Sequence, residues 1–209
     1  IAAIEATKEL FKGLPKQVPG IYQGIRKITK LDEANDIIRN PEIIEGKRLI
    51  DNLNRVQLQN ELFTDSEIKS NNFTIEMETG TGKTYVHLKT ILELNKEYGF
   101  TKFIIVVQSV PIRLGVEKSI EQLTEHFKGI YNIDLSKYSF TYDSDRLSEI
   151  NTKLIETKEL SICIMNIQAF NKSSNKIRTA DEYGKVIWDD IRLIRPILII
   201  DEPQKIEGT

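Results

Sequence analysis

From residue 73 to its end, the chain alternates short apolar runs with stretches of helical spacing. Residues 73–76, 103–107, 161–165 and 197–200 have strand length and are rich in β-branched or aromatic side chains, and residues 138–142 alternate. A continuous apolar run marks a strand covered on both faces, as in a parallel sheet. Between these runs, residues 84–98, 111–127, 145–157 and 188–195 carry apolar side chains at helical spacing. Gly99 closes the first of these helices, and Pro111 takes an early helical position that tolerates it. Residues 171–183 are polar and irregular, which predicts a surface loop. Repeated β–α units predict an α/β domain, a parallel sheet with helices on both faces.

The first 70 residues follow a different pattern. Residues 1–12 form an amphipathic helix, with Ile1, Ile4, Leu10 and Phe11 on one side and Gly13 and Pro15 ending it. Residues 13–24 are dense in glycine and proline and read as loop. From residue 31 to about 62, spaced Ile and Leu predict two helices broken near Asn40 and Pro41. Asp65, Ser66, Asn71 and Asn72 then mark a turn. The expected organisation is a mainly helical lead-in over residues 1–70 and a core domain over 71–209. Ile1 opens inside a helical pattern with no capping residue, and the chain stops soon after its last strand, so a piece of a larger protein is expected.

Composition narrows the setting. The 209 residues are 40% hydrophobic and 29% charged, ordinary for a soluble globular protein. Net charge is −2, from 29 basic and 31 acidic side chains, so no global basic field advertises a nucleic-acid partner; a local groove is not excluded. The single Cys163 rules out an internal disulfide and suits a reducing cytoplasm. No apolar run approaches the roughly 20 residues that span a bilayer, and no signal peptide is visible.

The candidate chemistry centres on residues 76–84, Glu-Met-Glu-Thr-Gly-Thr-Gly-Lys-Thr, set between a strand signal and a helix signal. That is the context of a phosphate-binding loop. Thr79, Gly80, Thr81 and Gly82 would turn their N–H groups into one concavity, at the positive end of the following helix. Lys83 would reach the β- and γ-phosphates, and the Thr84 hydroxyl would ligate Mg²⁺. Met77 stands where the strict pattern has glycine. The bland alternative is a Gly-Thr-Gly hairpin turn that happens to precede a lysine.

Residues 197–200 run directly into Asp201 and Glu202. A buried strand would carry Asp201 to the carboxyl edge of the sheet, where it would hold Mg²⁺, and Glu202 would orient or deprotonate an attacking water. The alternative is a strand ending in a solvated acidic turn. His87 and His126 lack any Cys or His cluster and read as surface or packing residues. Cys163 and Trp188 read as packing, and the Glu and Lys of residues 115–128 as a solvated helix face.

Two stretches carry a family resemblance. Met77 to Thr84 (METGTGKT) and Asp201 to Gln204 (DEPQ) resemble motifs I and II of superfamily-two helicases. Within them the chain resembles the restriction (Res) subunit of type III restriction-modification enzymes. Met77 is compatible with that superfamily. Gln108 to Ser119 (QSVPIRLGVEKS) resembles motif Ia, with Gln108 where the family usually has proline, and Ile164 to Lys172 (IMNIQAFNK) resembles a later DNA-facing segment.

The resemblance implies the first of two RecA-like motor halves, with a nuclease domain, an arginine finger and an adenine-reading glutamine elsewhere. It implies ATP and Mg²⁺ as cofactors, with Lys83, Asp201 and Glu202 in the catalytic roles. It also implies double-stranded DNA and a methyltransferase (modification) subunit as partners. By the same resemblance Ser109, Arg113, Asn166, Gln168, Asn171 and Lys172 would face DNA, mainly its phosphates and sugars; as residues alone, they could equally cap the helices that follow their strands. Another superfamily-two translocase, or a nucleotide-dependent interaction module without chemistry, remains an alternative.

Overall fold

The computed structural model describes residues 2–17, 38–43, 46–68, 70–78, 80–171, 175–180, 182 and 184–203. The chain divides into two compact units: residues 1–16 with 41–99, and residues 17–40 with 100–209.

The first unit is helical. Helix α1 (Ala2–Leu10) packs against both α2 (Lys47–Gln59) and α3 (Lys83–Tyr98), burying Ile4, Leu10, Phe11 and Leu49. The last carbonyls of a helix have no partner within it. Here the buried Asn52 amide supplies one, donating from Nδ2 to the carbonyls of Leu10 and Lys12, each at 3.0 Å. Tyr98 Oη donates to Lys8 O at 3.0 Å, and Lys8 Nζ lies 3.2 Å from both Glu5 and Glu97. The first of the two helices expected over residues 31–62 falls largely outside the described residues. Residues 38–43 are not helical, and α2 is the second.

One expectation fails. Residues 72–78 form no strand, and Thr74, Ile75 and Glu76 are exposed, Ile75 at 48%. A strand exists only if another strand takes up its N–H and C=O groups. Three β-branched or aromatic residues state a preference for that geometry, but they cannot supply the partner.

The second unit is the parallel sheet. Its elements follow as β1 (Lys102–Val107), α4 (Val110–Tyr131), α5 (Leu135–Tyr138), β2 (Ser139–Thr141), α6 (Leu147–Ile150), β3 (Ser161–Asn166), α7 (Gln168–Asn171), α8 (Ile187–Leu193) and β4 (Ile197–Ile200). Helix α6 runs into a wide π-type turn, Asn151–Ile155. The strand order is β2-β3-β1-β4, all parallel, with Ile104 opposite both Cys163 and Leu198. Alternate residues serve opposite faces. Ile104, Val106, Cys163 and Met165 pack with Ile150, Leu154, Ile191 and Ile194 on one face. On the other face α4 crosses β1 and β3, and its Glu117 meets Thr141 of β2. Helices therefore cover both faces, as expected.

Two details depart from the sequence pattern. Strand β4 was expected to be buried, yet Leu198 and Ile200 are 46% and 41% exposed. Among the described residues β4 pairs only with β1 and so forms an edge. Asn40, read in the sequence only as a helix break, is 1% exposed. Its Oδ1 accepts from the N–H groups of Thr101 and Lys102, and its Nδ2 donates to the carbonyls of Lys102 and Arg195. One amide thus joins the entry of β1 to the entry of β4. Trp188 packs as expected, edge-on to Phe170 at 5.2 Å, with Arg178 stacked 4.4 Å over its ring.

Candidate nucleotide and nucleic-acid sites

The glycine-rich turn of the first unit stands on local chemistry. Gly80 (φ 80°) and Gly82 (φ 82°, ψ 37°) are both left-handed, a conformation that costs a residue with a Cβ about 1–2 kcal/mol. Left-handed residues alternating with right-handed ones turn successive N–H groups to one side, making a concavity suited to an anion. A Cβ at Gly80 would meet nothing within 4 Å, so the glycine is there for its backbone angle and the turn is open on that side. Thr81 Oγ1 donates to Glu78 O at 2.6 Å, tying the turn across three residues. Lys83 then begins α3, whose first N–H groups lack helical acceptors and whose dipole favours negative charge. Lys83 and Thr84 are half-buried. Thr79 lies outside the described residues. The turn's geometry and donors fit a phosphate chain.

The second unit assembles its polar groups non-locally. Because all four strands run the same way, the residues after each strand collect at one carboxyl edge. Strand β4 delivers Asp201 there, and Asp201 N donates to Val106 O at 3.3 Å. Glu202 follows with a left-handed φ of 51°, turning the chain sharply. The main-chain N–H of Ile167, after β3, donates to Val107 O at 2.8 Å. Lys83 and Thr84 belong to the first compact unit, Asp201 and Glu202 to the second.

Over the ends of β2 and β3 this edge opens into a cleft of about 720 Å³. Four residues that the sequence singled out, Ser109, Arg113, Asn166 and Gln168, line it together. Arg113 Nε lies 3.5 Å from Glu117 Oε1, an ion pair without a hydrogen bond, and Glu117 Oε1 accepts from Thr141 Oγ1 at 2.5 Å. Among the described residues Asn166 Oδ1 is also buried without a partner. Asn171 ends α7, one helix beyond β3. Lys172 lies outside the described residues.

The sequence reading missed the other wall, formed by residues 141–144, Arg146 and Asn175. Its signal was positional: residues 142–146 follow a parallel strand, so they must reach the same edge. Tyr142 Oη donates to Asn175 Oδ1 at 2.7 Å, and burial pushes its pKa up to about 12. Arg146 is held between Asp143 (Nε–Oδ2 3.0 Å) and Glu149 (Nη1–Oε1 2.9 Å). The Asp145 N–H and the Arg146 guanidinium hold Asp143 below the usual carboxylate range. Both cleft arginines are thus ion-paired, Arg113 to Glu117 and Arg146 to Asp143 and Glu149, and amides and hydroxyls make up much of the remaining lining. Amides, hydroxyls and guanidinium groups of this kind are the ones that hydrogen-bond phosphate and sugar oxygens. No group of three or more metal-ligating side chains occurs among the described residues, and no described helix is long and apolar enough to cross a membrane.

A parallel sheet with an acidic turn and a polar cleft at its carboxyl edge, in a chain whose glycine nest opens a helix, defines the α/β class of RecA-like P-loop proteins. A family profile described as "Type III restriction enzyme, res subunit" matches residues 22–206. The chain is 30% identical, over 94% of its length, to the Res subunit of the type III restriction-modification enzyme EcoP15I of Escherichia coli. It is 28% identical, over 93%, to the EcoPI Res subunit of Escherichia phage P1. The chain belongs to the type III restriction enzyme Res subunit family. It spans 23% of the length of each of these two relatives.

Proposed function

We propose that the chain is the ATP-binding part of a motor that hydrolyses ATP with Mg²⁺ and acts on duplex DNA in a type III restriction system. The observation that carries this reading is the left-handed pair Gly80 and Gly82 opening α3 at Lys83, a backbone arrangement made for phosphate. Gly80, Thr81 and Gly82, with Thr79, bind the phosphates through main-chain N–H groups, and Lys83 offsets charge at the β- and γ-phosphates. Thr84 and Asp201 are the residues that would hold Mg²⁺, which when bound neutralises charge on the phosphate oxygens. Glu202 orients the attacking water and takes its proton as oxygen bonds to the γ-phosphorus and the bond to ADP breaks.

Ser109, Arg113, Asn166 and Gln168, and by the family resemblance Asn171 and Lys172, hold the DNA backbone rather than its bases. Residues 71–209 work together as the motor domain and residues 1–70 as its lead-in. In the intact protein, turnover drives movement along DNA and cleavage, with a modification methyltransferase as partner, in the cytoplasm. The relatives' names, which identify Res subunits of restriction-modification enzymes, support that wider setting.

The nucleotide assignment is tested by titration calorimetry with Mg-ADP. Removing the charge of Lys83 (Lys83→Ala) should cost about 2 kcal/mol or more of binding, the lower end for truncating a charge partner. Equal affinities of the two proteins would remove the phosphate-loop assignment.

A further inference from the structure

Gln108, the residue after β1, makes three hydrogen bonds that link the two polar regions of the sheet edge. Its side-chain Nε2 donates to the carbonyl of Asp201 at 3.2 Å and to that of Glu202 at 2.6 Å. Its own main-chain carbonyl accepts from Gln168 Nε2 at 3.3 Å. Gln168 is exposed and lines the cleft beside Ser109, the residue next to Gln108. One half-buried residue therefore links the acidic turn after β4, through its side chain, to the cleft wall after β3, through its main-chain carbonyl.

The turn it holds is one that needs holding. Glu202 is a non-glycine residue at φ 51°, and such backbones persist where their surroundings over-determine them. Two consecutive carbonyls converging on one NH₂ group is such a restraint: rotating the peptide between Asp201 and Glu202 breaks at least one bond. Glutamine supplies both the reach and the N–H groups. Glutamate has the reach but no N–H, leucine has the bulk but no polar atom, and proline has neither.

We infer that Gln108 is a positioning residue that couples occupation of the cleft by DNA to the orientation of Asp201 and Glu202. A phosphodiester drawn to Gln168 and Arg113 pulls on the carbonyl of Gln108, and the Gln108 amide carries that displacement to the turn bearing both carboxylates. Coupling of this kind is reciprocal, so bound nucleotide changes DNA affinity by the factor by which DNA changes nucleotide affinity. The inference rests on the proposed function and adds the residue through which its two halves communicate.

The experiment measures, by fluorescence anisotropy, the affinity of the chain for a duplex oligonucleotide of arbitrary sequence. It does so with and without Mg²⁺ and a non-hydrolysable ATP analogue, for wild type, Gln108→Leu and Gln108→Glu. Calorimetric titration of the analogue serves as control. Wild type should show DNA affinities differing by about fivefold or more between the two conditions. In either folded variant the ratio should fall to within about twofold of one while the analogue still binds; loss of a merely structural contact would lower both affinities and leave their ratio. A ratio preserved in both variants overturns the inference. So does a wild-type protein that binds both ligands with a ratio of one. A wild type that binds no analogue at all overturns the proposed function instead, and the calorimetric control separates the two failures.

Discussion

The Gly80–Thr84 turn and the Asp201–Glu202 turn carry the two halves of the proposed chemistry, and they are built in opposite ways. The first is local: two left-handed glycines, the Thr81 hydroxyl reaching back to Glu78, and the start of α3 shape it, and residues 72–78 before it form no strand. The second is non-local: Asp201 hangs from Val106 on the neighbouring strand, and Gln108, 93 positions earlier, holds its carbonyl. A phosphate nest can be encoded in five residues, whereas a positioned acid needs a sheet.

The contrast breaks most sharply in the core. Phe103, fully buried in β1, faces both neighbouring strands, and Phe103→Ala should cost about 3–5 kcal/mol of stability. Urea unfolding checks the size. Amide exchange should show protection lost first at Asp201, with α3 less affected; equal loss at both would erase the distinction between local and non-local turns.

A smaller effect marks the sheet unit alone. Lys102 is fully buried at the head of β1, its Nζ donating to Thr157 O, and desolvation lowers its pKa from 10.5 to about 8. The unfolded chain keeps that proton up to about pH 10.5, so between pH 8 and 9 unfolding takes up a proton and stability rises with pH. Above pH 9 the buried Cys163, whose thiol pKa is pushed up by desolvation from 9.0, opposes this, and Tyr98 and Tyr142, raised to about 12, add to the opposition above pH 10. The gain should stay below about 2 kcal/mol after discounting for solvent reaching the ammonium. Lys102→Met should flatten the curve; an unchanged slope would place its cause elsewhere.

The smallest effect belongs to the local turn. Gly82→Ala forces a Cβ into φ 82° and should cost about 1–2 kcal/mol, read as weaker nucleotide binding with the unfolding midpoint of the sheet unit unchanged. An alanine that binds nucleotide as well as glycine would show that the left-handed angle is dispensable.

What was legible in the sequence follows the same division. Residues 103–107 and 161–165 read correctly as strands because a run of apolar residues long enough to be covered on both faces has few other uses. Residues 73–76 did not become a strand and 197–200 became an edge, because pairing and coverage belong to partners the local pattern does not name. Ser109, Arg113, Asn166 and Gln168 were singled out by the family resemblance of their segments, and the structure places them in one cleft. Asn40 and Gln108 were invisible as connectors, since nothing local to an amide says which distant carbonyls it will meet.

The central claim is that the local turn and the non-local turn act on one Mg-nucleotide, and a double-mutant cycle tests it most directly. Calorimetry in Mg²⁺ would compare Mg-ADP affinity for wild type, Lys83→Ala, Asp201→Asn and the double variant. If both residues serve one bound nucleotide, each substitution weakens binding and the double variant departs from the sum of the singles by about 0.5–3 kcal/mol. Strict additivity, or full affinity in Asp201→Asn, would contradict a shared nucleotide site.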